Sequence, residues 1–195
     1  MNYTIIRGLP ANLRADAAAI YWQAFGGKLG TVMGPDAMAL RYLGRVINPS
    51  HALCAIDDRG ALLGLIGFKT PQGAFADGDF RDLRAVYGIA GALWRAAVLR
   101  MLQQEVDNER FLIDGICVTR TARGCGVGSA LIDAICTEAR ALGYGAIRLD
   151  VIDTNWRAKQ LYERLGFLTT RTDQIGPLRH IFGFSAATVM VKPLV

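Results

Sequence analysis

Histidine is almost missing from this chain: His51 and His180 are the only two in 195 residues, and they lie far apart. The four cysteines, Cys54, Cys117, Cys125 and Cys136, form no C-x-x-C pair. The spacing of a zinc site is therefore lacking, no metal is expected, and the thiols are expected to be reduced and mostly packed. Long apolar runs are lacking too. A bilayer span needs roughly 18 uninterrupted apolar residues. The most apolar candidate, Ala85 to Val98, is broken by Arg95 and flanked by Arg84 and Arg100. The first residues, Met1 to Arg7, lack a signal core and a small-residue cleavage site, so a cytoplasmic protein with no membrane partner is expected. Clustered charge is the last absence. The net charge is +5, with 18 arginines and 4 lysines, but they are scattered along the chain. A nucleic-acid binder concentrates them in a run or on one face, which argues against nucleic acid as the partner. The arginine excess reads either as solvated surface or as attraction for an anionic ligand such as a nucleotide phosphate.

What is present is a globular composition, 52% hydrophobic and 20% charged, without repeats, low-complexity segments or a linker. One domain over residues 1–195 is expected. Tyr3 to Arg7 reads as a first strand. Pro10 opens a helix to about Phe25, which Gly26-Gly27 is expected to stop. A second helix fits Pro35 to Val46, with proline in its first turn. Ala52 to Ile56 and Leu62 to Phe68 flank Asp57-Asp58-Arg59-Gly60, a hairpin signal. Pro71 to Asp79 reads as a loop. A long helix follows, roughly Asp82 to Val106. Its apolar stripe is Leu83, Val86, Tyr87, Ala90, Leu93, Trp94, Ala97, Val98, Met101 and Leu102.

A β-α-β-α pattern comes next: strand Phe111 to Val118, helix Gly126 to Leu142, strand Ala146 to Ile152, helix Trp156 to Leu165 capped by Asn155. Leu168 to Thr172 and Thr188 to Val191 close the chain as strands. Two apolar strands joined by a helix lie parallel, whereas hairpins are antiparallel. The expectation is an α/β fold: a mixed, mostly antiparallel central sheet with helices on both faces.

The chemistry concentrates in Arg123-Gly124-Cys125-Gly126-Val127-Gly128-Ser129, between a strand and a helix. Glycines let a ligand approach the backbone closely. The amides at the helix start lack intrahelical partners, and the helix dipole favours an anion there. A dinucleotide fingerprint needs G-x-G-x-x-G, and here Ser129 departs from it; a P-loop needs Gly-Lys-Ser/Thr, and no lysine is present. A tight turn with close helix packing is the plainer alternative.

Arg123-x-x-Gly126-x-Gly128 resembles the pyrophosphate-binding motif of the GNAT acyltransferase superfamily. Asn155-x-x-Ala158-x-x-Leu161-Tyr162-Glu163-Arg164-Leu165-Gly166-Phe167 is similar to that family's second signature. The resemblance covers 111–167, and more weakly the ending Val189 to Leu194. It implies acetyl-CoA as co-substrate and transfer of its acetyl group to a primary amine by direct attack. Gly124, Cys125, Gly126, Val127, Gly128 and Ser129, with Arg123, would hold the pyrophosphate. Ile116, Cys117 and Val118 would pair with the pantetheine arm, and an amide near Val118 would polarise the thioester carbonyl. Asn155 would contact the same arm or simply cap its helix. Tyr162 would protonate the departing thiolate or pack in the core.

A base for the amine is also needed. Asp114 is the best candidate: by strand alternation it shares a face with Leu112, Ile116 and Val118. Its alternative is a structural carboxylate bonded to the adjacent strand. His180 is a weaker candidate, and water is another. The chain departs from the family in the roughly forty residues, 70–110, between the third and fourth strands, where the minimal family fold has a short turn. The additional long helix there either enlarges the core, walls the acceptor site or forms a homodimer contact. Its face opposite the stripe carries Arg84, Gly88, Gly91 and Arg95. The acceptor, a small-molecule or peptide amine, is not named by the sequence. A non-catalytic acyl-CoA-binding regulatory module is the competing reading; an unrelated nucleotide-binding domain leaves the second motif unexplained.

Overall fold

A computed structural model describes residues 2–102 and 110–194. Among the described residues there are eight strands: β1 (Tyr3–Arg7), β2 (Ala52–Asp57), β3 (Leu62–Thr70), β4 (Gly73–Ala74), β5 (Phe111–Val118), β6 (Ala146–Ile152), β7 (Leu168–Gln174) and β8 (Ala186–Pro193). The main path of the sheet runs β1-β2-β3-β5-β6-β8-β7, and the short β4 pairs β3. Every pairing is antiparallel except β5 with β6. The α-helices are α1 (Arg14–Met33), α2 (Asp36–Val46), α3 (Phe80–Leu102), α4 (Val127–Ala141), α5 (Trp156–Arg164) and the single turn α6 (Arg179–Phe182).

The helices cover both faces of the sheet. On one face α4 buries Val127, Leu131, Ile132 and Ile135 against Phe111, Ile113, Ile147 and Leu149. These positions of α4 follow the three- and four-residue spacing of one helix face, so the sequence alone dictates which side packs. On the other face α1 buries Ala17, Ala18 and Tyr21 against Ala52, Cys54, Leu65 and Cys117. A third cluster joins the end of α1 (Val32, Met33) to α2, α3 and Phe182 of α6.

Three local readings are corrected. First, α1 does not stop at Gly26-Gly27 but runs to Met33. Each glycine costs about 1 kcal/mol of helix propensity, and burial of Val32 and Met33 in the third cluster outweighs it. Gly26 has its own use: a Cβ there would lie 3.0 Å from the Trp22 indole. Second, α3 is broken at Gly88 (φ 70°, ψ 178°), a conformation open in practice only to glycine. The break rotates the helix phase. Leu83 and Val86 are buried, but beyond the break the inward residue is Ala92, and Leu93 (59% exposed) and Trp94 (44%) of the expected stripe face outward with Ile89 (63%). Arg95, assigned by sequence to the outer face, lies instead with its guanidinium 3.9 Å from the Tyr87 ring centre and donates to Gly34 O. The expected end of this helix at Val106 lies outside the described residues. Third, β4 falls in the stretch read as loop, Pro71 to Asp79, and α6 falls between the last two strands, where no element is expected.

Candidate active site

The parallel pair at the centre of the sheet is short. β5 and β6 match only at Phe111↔Ile147 and Leu112↔Arg148. Beyond Leu112 the two strands separate, and the β6 side of β5 is left open. The ladder with β3 fixes which groups face this gap. Thr119 N donates to Leu63 O (2.8 Å). In an antiparallel pair every second residue bonds the same neighbour. Cys117 and Gly115 therefore bond toward β3, and Ile116 and Val118 turn their amides and carbonyls toward the gap. The Cys117 thiol is buried in the α1-side core, where burial pushes its pKa up. Of the three strand residues singled out by sequence, Ile116 and Val118 present polar backbone to the gap and Cys117 does not.

The glycine loop stands at the end of this open edge. Gly124 (φ 78°) and Gly126 (φ 81°) occupy left-handed backbone that other residues adopt only with strain. Gly126 forms the N-cap of α4, and the first intrahelical bond runs from Ala130 N to Gly126 O (3.0 Å). The amides of Val127, Gly128 and Ser129 precede it and have no carbonyl one turn back within the helix. A Cβ on Gly128 would lie 3.8 Å from Leu161 Cδ2 and 3.9 Å from Val118 Cγ2, so this loop touches both the β5 edge and α5. Arg123 and Cys125 are exposed, and Arg123 Nε donates to Val118 O (3.3 Å).

A cavity of 1430 Å³ opens from the gap toward α1, α2 and α3. Asp114, Ile116, Asn155 and Tyr162 line it; residues 117–129 do not. Asn155 occupies the N-cap of α5, yet its side chain makes no capping bond. Tyr162 is 7% exposed and packs 5.8 Å from Phe167, while its ring also borders the cavity. Burial raises its pKa well above the ordinary phenol value.

Asp114 stands at a bulge. Gly67 pairs with Gly115 and Phe68 with Ile113, so Asp114 is the extra residue of β5. The bulge breaks the alternation on which the sequence reading relied: Asp114 and Leu112 line the cavity on the α1 side, whereas Ile116 and Val118 pack toward α4. Its carboxylate accepts from Ala76 N (3.3 Å), in the connection before α3 and not in the adjacent strand. Asp114 has some surface open to the cavity but is enclosed by protein on most sides. Burial raises its pKa, opposed by the Ala76 amide and by Lys69 and Lys28.

The other candidates fall outside. His180 is exposed on α6, accepts from Arg179 Nε (3.3 Å) and does not line the cavity. Arg84 and Arg95 do not line it either, but α3 does through Phe80, Leu83, Ala96, Leu99 and Arg100, so this helix is a wall of the cavity. Sequence reasoning missed Lys28, which lines the cavity from the second half of α1. The available signal was the spacing Ala17, Tyr21, Phe25, Lys28, Val32, one inward stripe once the helix is continued through the glycines.

Comparison with known proteins agrees with this architecture. The sequence model of the Acetyltransferase (GNAT) family matches residues 15–167. No curated protein matches the chain at a significant level. Among solved structures, an N-acetyltransferase from Staphylococcus aureus Mu50 superposes with a TM-score of 0.69 at 15% identity, over 96% of this chain and 99% of its own. A protein from Corynebacterium glutamicum ATCC 13032, described as histone acetyltransferase HPA2 and related acetyltransferase, gives 0.67 at 22% identity, over 99% and 97%. A candidate streptothricin acetyltransferase from Bacillus anthracis str. Ames, solved in complex with acetyl coenzyme A, gives 0.50 at 18% identity, over 73% of this chain and 61% of its own. At these identities the likeness is one of fold.

Proposed function

The chain belongs to the acetyltransferase (GNAT) family, and on that premise we propose that it transfers an acetyl group from acetyl-CoA to a primary amine by direct attack. The observation that carries this reading is the parting of β5 from β6 after Leu112, with the glycine loop at one end of the open edge and Tyr162 beside it. The residues present fit the co-substrate. Ile116 and the Val118 amide offer backbone that no neighbouring strand pairs to an extended amide-bearing arm, as a further strand would use it. Gly124 to Ser129 offer glycine backbone and helix-start amides to a pyrophosphate. Arg123 adds a guanidinium once it leaves Val118 O. Asn155 keeps its side chain free for the arm.

Acetyl-CoA supplies the thioester whose acyl carbon the amine attacks; the N–C bond forms and the C–S bond breaks with its electron pair on sulfur. Asp114 accepts a proton from the amine. Burial lifts this carboxyl toward neutrality and makes it a better base than an exposed aspartate. Tyr162 is held protonated by its burial and donates toward the departing sulfur. The same burial opposes a standing phenolate, so its part is a hydrogen bond that strengthens as sulfur acquires charge. The open-edge amide of Val118 or Ile116 stabilises the carbonyl oxygen as a fixed dipole.

The test is free-thiol release from acetyl-CoA with a panel of primary amines, alongside calorimetry of acetyl-CoA binding. Wild type is expected to bind and turn over. Gly126→Asp places a side chain at φ 81° and a negative charge at the helix start, and should lose most of the affinity. Equal affinity in the two proteins ends this reading. Acetyl-CoA binding without turnover of any amine would favour a regulatory module.

A further inference from the structure

Two lysines, Lys28 and Lys69, line the cavity with Asp114, and among the described residues neither has a carboxylate in ion-pair contact. Lys28 extends from α1, and its Nζ lies 5.7 Å from the Phe25 ring centre and 5.8 Å from that of Phe184. Lys69 stands on β3 opposite Leu112 of β5. Both line the cavity together with Asp114 and favour its ionised form. Two other cations of the lining are neutralised: Arg148 by Asp150 (3.2 Å) and Arg171 by Asp173 (2.9 Å). Asp77, also in the lining, lies against Gly73 and acts both on the His51 ring and on Asp114, whose ionised form it disfavours. Arg100 and Arg110 also stand in the lining, and Lys28 feels Asp150 as well as Asp114.

That balance changes in the reaction proposed above. When Asp114 takes the proton of the amine it becomes neutral, and Lys28 and Lys69 lose its field while Asp77 and Asp150 remain in the lining. A buried charge left uncompensated is costly. An anionic group on the acceptor removes that cost, whereas a second positive charge on the acceptor adds to it. Resting on the N-acetyltransferase reading, we propose that the acceptor is an amphoteric amine: a primary amine that also carries a carboxylate or phosphate, with the anionic group seated on Lys28 and Lys69 and the amine at Asp114. Lys28 suits this role because its ammonium lies over the Phe25 and Phe184 rings at the cavity wall.

The experiment compares kcat/KM for acetylation of matched acceptors: γ-aminobutyrate, γ-aminobutyramide and putrescine in one set, phosphoethanolamine and ethanolamine in another. A charge-assisted contact gives the anionic member of a set an advantage of roughly tenfold to hundredfold. The first set reports a carboxylate site and the second a phosphate site; an advantage in either supports the proposal. Lys28→Met and Lys69→Met should bring the anionic-to-neutral ratio toward one, and Lys28→Arg should retain it, each variant being checked by a melting curve. Should one variant fail to fold, the wild-type ratios and the other variant decide. Neutral amines or putrescine used as well as the anionic members would overturn this proposal and leave N-acetyl transfer standing. A ratio unchanged in both Met variants, or recovery of the acetyl group on Lys28 itself, would overturn the assignment of these lysines. An acetyl-CoA-binding protein that releases no thiol with any amine would overturn both readings.

Discussion

The two faces of the central sheet are built from the same strands but hold different things. The face under α4 is dry: Leu131, Ile132, Ile135, Phe111 and Ile147 are fully buried there and leave room for little beyond hydrocarbon. The face under α1 to α3 encloses a large cavity with Asp114, Lys28, Lys69 and Tyr21 around it. On that face burial shifts pKa values: Asp114 and Tyr21 upward, Lys28 downward. One face supplies the stability that the other gives up in order to keep ionisable groups away from water. The parting of β5 and β6 lies between them, so Tyr162 packs with the first face and borders the cavity of the second.

Substitutions that separate the two faces test this division. The largest expected effect is at Asp114. Asp114→Asn removes the base and should lower kcat/KM by about 10²–10⁴-fold. Its stability effect has the opposite sign. The carboxyl is raised in the folded state, so its stabilising contribution is present below the unfolded pKa and is lost as pH rises through the folded value. The raised value is the net of burial over the attraction of Lys28 and Lys69, so at neutral pH the asparagine variant should melt higher, by about 1–3 °C, while still accepting from Ala76 N. A variant that melts lower and keeps its activity would make Asp114 a structural carboxylate.

Leu131→Ala does the reverse. It leaves a cavity on the dry face and should cost about 2–5 kcal/mol of unfolding free energy, read by denaturant titration. The KM for acetyl-CoA should change little in the protein that remains folded. Tyr162→Phe probes the boundary between the faces. The ring and its contact with Phe167 are kept, and kcat should fall by about 10²-fold with an unchanged melting curve. An unchanged kcat with a lowered melting temperature would assign the tyrosine to packing. The smallest effect is a shift in pH dependence. Lys28 favours ionised Asp114, so Lys28→Met should raise the Asp114 pKa and move the acid limb of kcat/KM to higher pH, by up to about one unit. A limb that moves to lower pH, or does not move, would remove Lys28 from the neighbourhood of the base.

Much of the dry face was legible from spacing. β5 runs Phe111–Val118 and β6 runs Ala146–Ile152, as the alternation of β-formers and the glycine stops indicate, and α4 departs from its expected range by one residue at each end. These elements are set by local pattern, and their burial agrees with it. The cavity face was legible only in outline. The end of α1 was misplaced because Gly26-Gly27 reads as a stop, although neither glycine adopts left-handed backbone here. The phase of α3 was misplaced because the break at Gly88 depends on what each half packs against. The orientation of Asp114 relative to Ile116 was misplaced because a bulge is a mismatch between two strands, and one strand alone carries no record of its partner's register.

The sequence by itself determined the order of the main elements, the glycine backbone at the start of α4 and the titratable side chains carried by β5 and α5, because each follows from residue type and short-range spacing. Only the tertiary structure decided that β5 and β6 pair for two residues and then part, that Ile116 and Val118 face the gap while Cys117 does not, and that Lys28, Lys69 and Asp114 line one cavity. Those are relations between segments distant along the chain. They follow from strand register and from the burial of Val32 and Met33, which carries α1 past its glycines and brings Lys28 to the cavity.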